Sequence, residues 1–464
     1  MKCLILGITD KGGGGGRAQY RLFKGLLGIN VDANLLVKHA TKIESHIYVT
    51  KKKLFEYFRE RFESVILRYN RTELSNTIFS LGLIGNDISN HPLIKDADII
   101  NIHWINSYLS IDNISNIIET GKPVVFTLHD MWSFTGGCHY NASCNKYETE
   151  CSNCPQLKED KFNLINAIFK KKLNAFNNPN VTVITPSNWL SLCSKKSRIF
   201  NNIEVKVIPN SLETDIFYPK SKNESKEKIG IDKDKITILF GTSYHNEKRK
   251  GFRELLIALE YCKKNDSFNE YLKNKKIVVI IFGNPSRELV ELDIPIKSFG
   301  FIDDDELLAT VYSASDFLVL PSLEDNLPNI MIESLACGTP VVAFDIGGIP
   351  DVVKNGFNGF LSPVENLDLL GDNIIKLVTD EKTRKELQNN SHKDLDKMFS
   401  LKTQATNYRN LFEELIKNNK KEKVTKNEKY IEDKKPYIML YLNIFPKSVV
   451  KFLIKFVTKI IFRK

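Results

Sequence analysis

Two doubly wound α/β domains in tandem are predicted from three observations. Apolar strand-like runs alternate with helix-capable stretches through both halves of the chain, a polar, charged run at residues 220–235 joins the halves, and 464 residues suffice for two or three domains with cores of their own. In the first half the expected strands lie at residues 3–7, 32–37, 98–102, 123–128, 181–185 and 205–208. In the second they lie at 236–240, 277–282, 317–320 and 341–344. The boundaries read as a first domain over 1–212, a second over 213–400, a helix at 401–418, a charged linker at 419–436 and a basic tail at 437–464.

With 42% hydrophobic and 26% charged residues, the composition is that of a soluble globular protein. The run from Cys3 to Ile8 is too short for a signal sequence and is followed by Asp10 and Lys11, so it reads as a first buried strand. No apolar run of ~18 residues free of charge is present, and a spanning helix is not expected. The net charge of +10 is concentrated in one place: thirteen Lys/Arg against four Asp/Glu from Lys420 to Lys464 give +9, leaving +1 for the rest. A neutral body with a basic tail points to an anionic membrane as partner of the tail and away from nucleic acid.

The most informative stretch is 321–342, PSLEDNLPNIMIESLACGTPVV. A buried-strand run ends at Pro321, Pro328 suits a first helical turn, and Gly338 suits a helix C-cap before the next strand. Asp325 then sits in a loop at the carboxyl end of a strand, where a ligand crevice opens, and Glu333 lies about two turns on, suited to the vicinal hydroxyls of a ribose or sugar. Ordinary capping and surface carboxylates are the alternative for this pair.

The string resembles the donor-binding motif of the retaining family-4 glycosyltransferases of the GT-B fold. It departs from that motif at Asp325, where Glu is usual and Glu324 precedes as a substitute, and at Pro328, where a glycine is usual and the Asn329 amide compensates. The resemblance extends over residues ~1–400, with further landmarks at 98–104, 185–189 and 208–219; Glu213 stands where Asp is commoner. It implies two Rossmann-like domains facing a cleft, the first on the acceptor side and the second binding a nucleotide sugar, with the final helix crossing back to the first.

Five glycines, Gly12 to Gly16, follow the first strand, and a helix is expected near Arg17. Such a loop allows backbone N–H groups to approach phosphate oxygens, and the resemblance places Gly14, Gly15 and Gly16 at the donor phosphates; a flexible loop is the alternative. In the family a Gly-Arg and a later Lys-Gly grip the diphosphate. Here Lys250-Gly251 matches the second, Thr242 stands in place of the Arg, and Arg249, or less readily Lys248, takes over. His129, at a strand end with Asp130, resembles the family's histidine that contacts the transferring sugar. No protein nucleophile and no catalytic cofactor are implied, a leaving phosphate oxygen serving to accept the acceptor's proton.

Cys138, Cys144, Cys151 and Cys154 fall within seventeen residues and end in C-x-x-C-P, which suggests a tetrahedral structural zinc more than disulfides, with buried thiols or a redox role as alternatives. From Lys447 a cation recurs every fourth residue to Arg463 among Val, Phe, Leu and Ile, the pattern of an interfacial helix; packing on the protein body is the alternative. Residues 51–81 hold a second basic, helix-capable stretch.

The expected activity is transfer of a hexose, with retention, from a nucleoside-diphosphate sugar to a saccharide or lipid-linked saccharide acceptor in the building of a bacterial surface polysaccharide. The expected location is cytoplasmic, on the inner face of the plasma membrane. Catalytic roles fall to His129, Lys250 and Asp325, and donor binding to Gly14, Gly15, Gly16, Arg249, Lys250, Asp325, Asn329 and Glu333. The alternatives are another GT-B enzyme, an epimerase or phosphorylase, or an inactive binding subunit.

Overall fold

The computed structural model describes residues 1–42, 44–50, 63, 67–160, 163–241, 247–282, 287–364 and 366–419. The linker beyond Asn419, the basic tail, Thr242 and most of the basic stretch 51–66 lie outside the described residues.

Each half of the chain forms one parallel sheet. The first has seven strands in the order β3-β2-β1-β4-β5-β6-β7, the second six in the order β10-β9-β8-β11-β12-β13. The strands are β1 (Lys2–Thr9), β2 (Asp32–His39), β3 (Ile47–Val49), β4 (Ile99–Ile102), β5 (Val124–Thr127), β6 (Val181–Thr185), β7 (Val205–Val207), β8 (Ile236–Gly241), β9 (Ile277–Phe282), β10 (Ile296–Ser298), β11 (Phe317–Leu320), β12 (Val341–Phe344) and β13 (Gly359–Ser362). Central strands are buried along their whole length, as in β4, β5, β11 and β12, because helices cover both faces of each sheet. That is why they read as unbroken Ile, Val, Leu and Phe runs.

Three short strands, β3, β10 and β13, were not expected. All three are sheet edges of three or four residues with part of their surface exposed, so they carry a weak apolar signal.

In each sheet the strand order reverses once, between β1 and β4 and between β8 and β11. Crevices at such points take ligands outside the carboxyl ends of the strands. The chain crosses between sheets twice, side by side: the Leu212 N–H donates to the Phe399 carbonyl at 2.8 Å. After the second crossing the helix Leu401–Asn419 packs on the first domain, burying Ala405, Tyr408, Leu411 and Phe412 with Cys3, Ile5, Leu22 and Leu26. Each large apolar side chain so buried contributes ~1.5–3 kcal/mol. Close approach to the helix Gly13–Gly28 requires Gly25, where a Cβ would stand 2.7 Å from the Leu401 carbonyl oxygen. Among the described residues no helix is long and apolar enough to cross a membrane.

Candidate active site

The loop between β11 and the helix Asn329–Ala336 is held by glycines on the loops around it. At Gly251 (φ +72°) a Cβ would lie 1.6 Å from the Pro321 carbonyl oxygen, and at Gly347 (φ +56°) 1.7 Å from that of Asp325. Only glycine admits this proximity. It brings Lys250 Nζ to 2.6 Å and Arg249 Nη1 to 3.4 Å from Asp325 Oδ2. Burial alone would raise the Asp325 carboxyl, but the two cations outweigh it and hold the group below the usual carboxylate range. Arg249 is fixed from the other side as well, by Glu247 at 2.7 Å and by the Tyr140 ring at 4.5 Å.

Three side chains of this loop and the helix start cross to the first domain. Glu324 accepts from Asn76 Nδ2 at 2.5 Å and from the Ala142 N–H at 3.0 Å. Asn326 accepts from Ser187 Oγ at 2.6 Å and donates to the His129 carbonyl at 3.2 Å. Asn329 donates to the Gly14 carbonyl at 3.1 Å and accepts from Asn210 Nδ2 at 3.3 Å. The two domains therefore meet at this loop, and Glu324 points away from the Lys250 pair toward the first domain.

Glu333 is 2% exposed. Its Oε1 lies 2.8 Å from Arg21 Nη2 and 3.8 Å from Arg17 Nη1, and its Oε2 accepts from the Tyr312 hydroxyl at 2.9 Å. Burial pushes this carboxyl up, yet Arg21 and Arg17 hold it low. Arg17 also contacts Asp305, and Arg21 Nε donates to Glu213 at 2.8 Å. Both oxygens expected to face a ribose are thus occupied by protein groups.

Arg17 and Arg21 belong to the helix that the glycine run opens. It begins at Gly13, earlier than expected, so that four glycines form its first turn, and its N-terminus has neither a side-chain cap nor an acidic residue. The bare N–H groups carry the positive end of the helix dipole. A Cβ on Gly15 would lie 3.5 Å from His129 Cγ, which places the glycine turn against the histidine.

His129, half-buried at the end of β5, accepts or donates through Nε2 to His103 Nδ1 at 2.9 Å. Desolvation lowers its pKa to about 4, against the pull of Asp130, and desolvation with the neighbouring His129 holds His103 well below the usual histidine range, so both rings are neutral. Asp130 serves structure: its oxygens take the Trp104 indole N–H at 2.9 Å, the Trp132 N–H at 2.9 Å and His139 Nδ1 at 2.6 Å.

Cys138, Cys144, Cys151 and Cys154 line one small pocket together with Phe79 and Tyr147. Among the described residues, however, no three His, Cys, Asp or Glu side chains are placed to hold a metal ion. Burial pushes the Cys151 thiol up to about 12 and that of Cys154 to about 11. The zinc expectation has no support in this arrangement.

Residues 221–394 match the family described as glycosyl transferases group 1. The second domain is a group 1 glycosyltransferase domain. An uncharacterized glycosyltransferase of Methanocaldococcus jannaschii is 26% identical over 302 residues, 61% of this chain and 73% of its own length. The UDP-Gal:alpha-D-GlcNAc-diphosphoundecaprenol alpha-1,3-galactosyltransferase of Escherichia coli is 24% identical over 237 residues, 49% of this chain and 58% of that protein. Among solved structures, HepE of Anabaena in complex with UDP-glucose superposes with a TM-score of 0.59 at 16% identity, covering 89% of this chain and all of that one, a likeness of fold. Both sheets of the present chain thus have the two-domain GT-B arrangement.

Lys250 and Arg249 thus gather at Asp325, Asn329 meets Gly14 and Gly15 lies against His129, while Glu333 is drawn into a separate charge cluster. Sequence reading missed Arg17, Arg21, Tyr312, Asp305 and His103. One signal was available: Arg17 and Arg21 are four apart, on one face of a helix otherwise rich in apolar residues, directly behind the glycines.

Proposed function

We propose that the chain is a retaining hexosyltransferase that uses a nucleoside-diphosphate sugar and builds a surface polysaccharide on a saccharide or lipid-linked saccharide acceptor. The observation that carries this reading is Asp325, held between Lys250 and Arg249 in the loop after β11, with its neighbours Asn326 and Asn329 donating to the His129 and Gly14 carbonyls. The donor's diphosphate is bound by Lys250, Arg249 and the N–H groups behind Gly14, Gly15 and Gly16, whose positive charge stabilises the leaving group as it departs. Asn329 and Glu333 hold the donor's hydroxyls, Glu333 sharing its oxygens with Arg21 or exchanging that partner for the ribose. His129 contacts the transferring sugar, and the acceptor hydroxyl attacks from the face the diphosphate leaves, passing its proton to a phosphate oxygen.

The E. coli relative named for a diphosphoundecaprenol substrate supports a lipid-linked acceptor, and the UDP-glucose complex of HepE supports a uridine donor. The tail, with a cation every fourth residue from Lys447 to Arg463, would hold the enzyme at the inner membrane surface where such an acceptor lies. Thermal shift against UDP-, GDP-, ADP- and CMP-sugars tests the donor assignment, since a ligand specific for the folded state stabilises it by mass action.

A second reading, an inactive binding subunit, is favoured by the pairing of both Asp325 and Glu333 with protein cations. Hydrolysis or transfer of the donor distinguishes the two: an active preparation excludes the subunit.

A further inference from the structure

Behind His129 runs an unbroken line of buried hydrogen bonds that starts on the helix crossing back from the second domain. The Tyr408 hydroxyl lies 3.2 Å from Thr127 Oγ1, and Thr127 Oγ1 donates to Asn101 Oδ1 at 2.9 Å. Asn101 Nδ2 stands 3.0 Å from His103 Nε2, and His103 Nδ1 stands 2.9 Å from His129 Nε2. Asn101 is fully buried, and Tyr408, Thr127 and His103 nearly so.

Each member has a fixed stock of donors and acceptors, so the line has one consistent direction. Thr127 has a single hydroxyl hydrogen, which goes to Asn101, so Tyr408 must donate to Thr127. The Asn101 amide then donates to His103 Nε2, which leaves the proton of a neutral imidazole on Nδ1. That proton is donated to His129 Nε2. Run the other way, the Tyr408 hydroxyl hydrogen would meet no acceptor, because among the described residues the hydroxyl meets no polar group but Thr127. A buried donor without an acceptor costs ~1–3 kcal/mol, enough to set the direction.

We propose that this line fixes His129 in a single tautomer, Nε2 accepting and Nδ1 carrying the proton, so that the histidine meets the transferring sugar as a hydrogen-bond donor, with His103 as its positioning residue. The tautomer stands on the hydrogen bonds alone, whereas its use on the sugar rests on the function proposed above. In this role His129 takes no proton from the acceptor. It gives an N–H to a sugar oxygen, and its orientation depends on Tyr408, a residue that reaches the first domain only because the chain returns there.

Two measurements on the full-length protein separate these parts. Long-range proton–nitrogen correlation NMR with ¹⁵N-histidine, near neutral pH, is expected to show bare Nε2 and protonated Nδ1 on both His103 and His129; a protonated Nε2 on His129 overturns the proposal. The second compares His103→Leu with His103→Asn, whose amide nitrogen occupies the place of Nδ1 and still donates. His103→Leu should lose about 10- to 100-fold in kcat with donor KM within about twofold, and His103→Asn should recover most of that loss while both variants melt alike. Equal kcat in the two variants overturns the positioning role. Failure of the wild-type protein to transfer any donor sugar overturns the proposed function and the sugar contact with it, while the spectrum still decides the tautomer.

Discussion

Arg21, on the first helix of the first domain, places Nη2 2.8 Å from Oε1 of Glu333 in the glycosyltransferase domain, and the two side chains are 1% and 3% exposed. The pair spans the domains and, with Arg17 and the Tyr312 hydroxyl, holds the buried Glu333 carboxylate ionised. Removing Arg21 leaves Glu333 to Arg17 at 3.8 Å and the Tyr312 hydroxyl, and breaking a buried pair typically costs up to ~3–5 kcal/mol. Arg21→Met should therefore lower stability strongly. In a double-mutant cycle with Glu333→Gln, measured by denaturant unfolding, the double variant should be more stable than the sum of the single changes predicts, with a coupling above ~1 kcal/mol. Simple additivity would show that the pair carries no interaction of its own.

Glu333→Ala is expected to raise the donor KM by about 10- to 100-fold, through loss of charged hydrogen bonds to the donor's hydroxyls. Calorimetric titration with the preferred donor checks this. Wild-type affinity would remove Glu333 from the donor site and leave it as the interdomain partner of Arg21.

Lys250→Ala should act differently. Its ammonium, 2.6 Å from Asp325, gains most when the diphosphate departs, so kcat should fall about 100-fold or more while donor affinity changes less. Unchanged kcat in steady-state assays would assign Lys250 to holding Asp325 only.

The neutral histidines make stability depend on pH. His129 titrates at about 4 in the folded chain against an ordinary value of 6.5, so the unfolded chain binds a proton first as pH falls. The contribution is complete above pH 6.5 and is lost as pH drops toward 4. Melting temperature followed across this window should decline, and His129→Gln should decline less steeply. Identical slopes would show that His129 is not held neutral by its surroundings.

Deleting residues 437–464 should release the protein from anionic vesicles and leave donor binding unchanged, since each Lys or Arg near such a surface contributes ~1 kcal/mol. Co-sedimentation at low and high salt reads the difference. Equal binding of both forms would move the membrane contact to the body, with the basic stretch 51–71 the next place to test.

What could be read from the chain alone follows from how local each feature is. The unbroken apolar runs of β4, β5, β11 and β12 announce buried parallel strands, because burial on both faces leaves no polar alternation. Asp325, Asn329 and Glu333 lie in one loop-helix segment, and Lys250 beside a glycine that its fold requires, so each is visible within a few residues. The partners of Glu333 are not: Arg21 is some three hundred residues away, and the pair exists only where two domains meet. The same holds for the line from Tyr408 to His129, which joins the helix Leu401–Asn419 to the ends of β4 and β5. The cysteines show the reverse, a promising spacing whose side chains gather at one pocket without the placement a metal needs.

The most direct test of the account is the anomeric configuration of the product, read by proton NMR from a reaction of the full-length enzyme with its preferred α-configured nucleoside-diphosphate sugar and a saccharide acceptor. Transfer through Lys250, Asp325 and His129 on the face the diphosphate leaves predicts an α-linked product. A β-linked product, or none with any donor sugar, would contradict it.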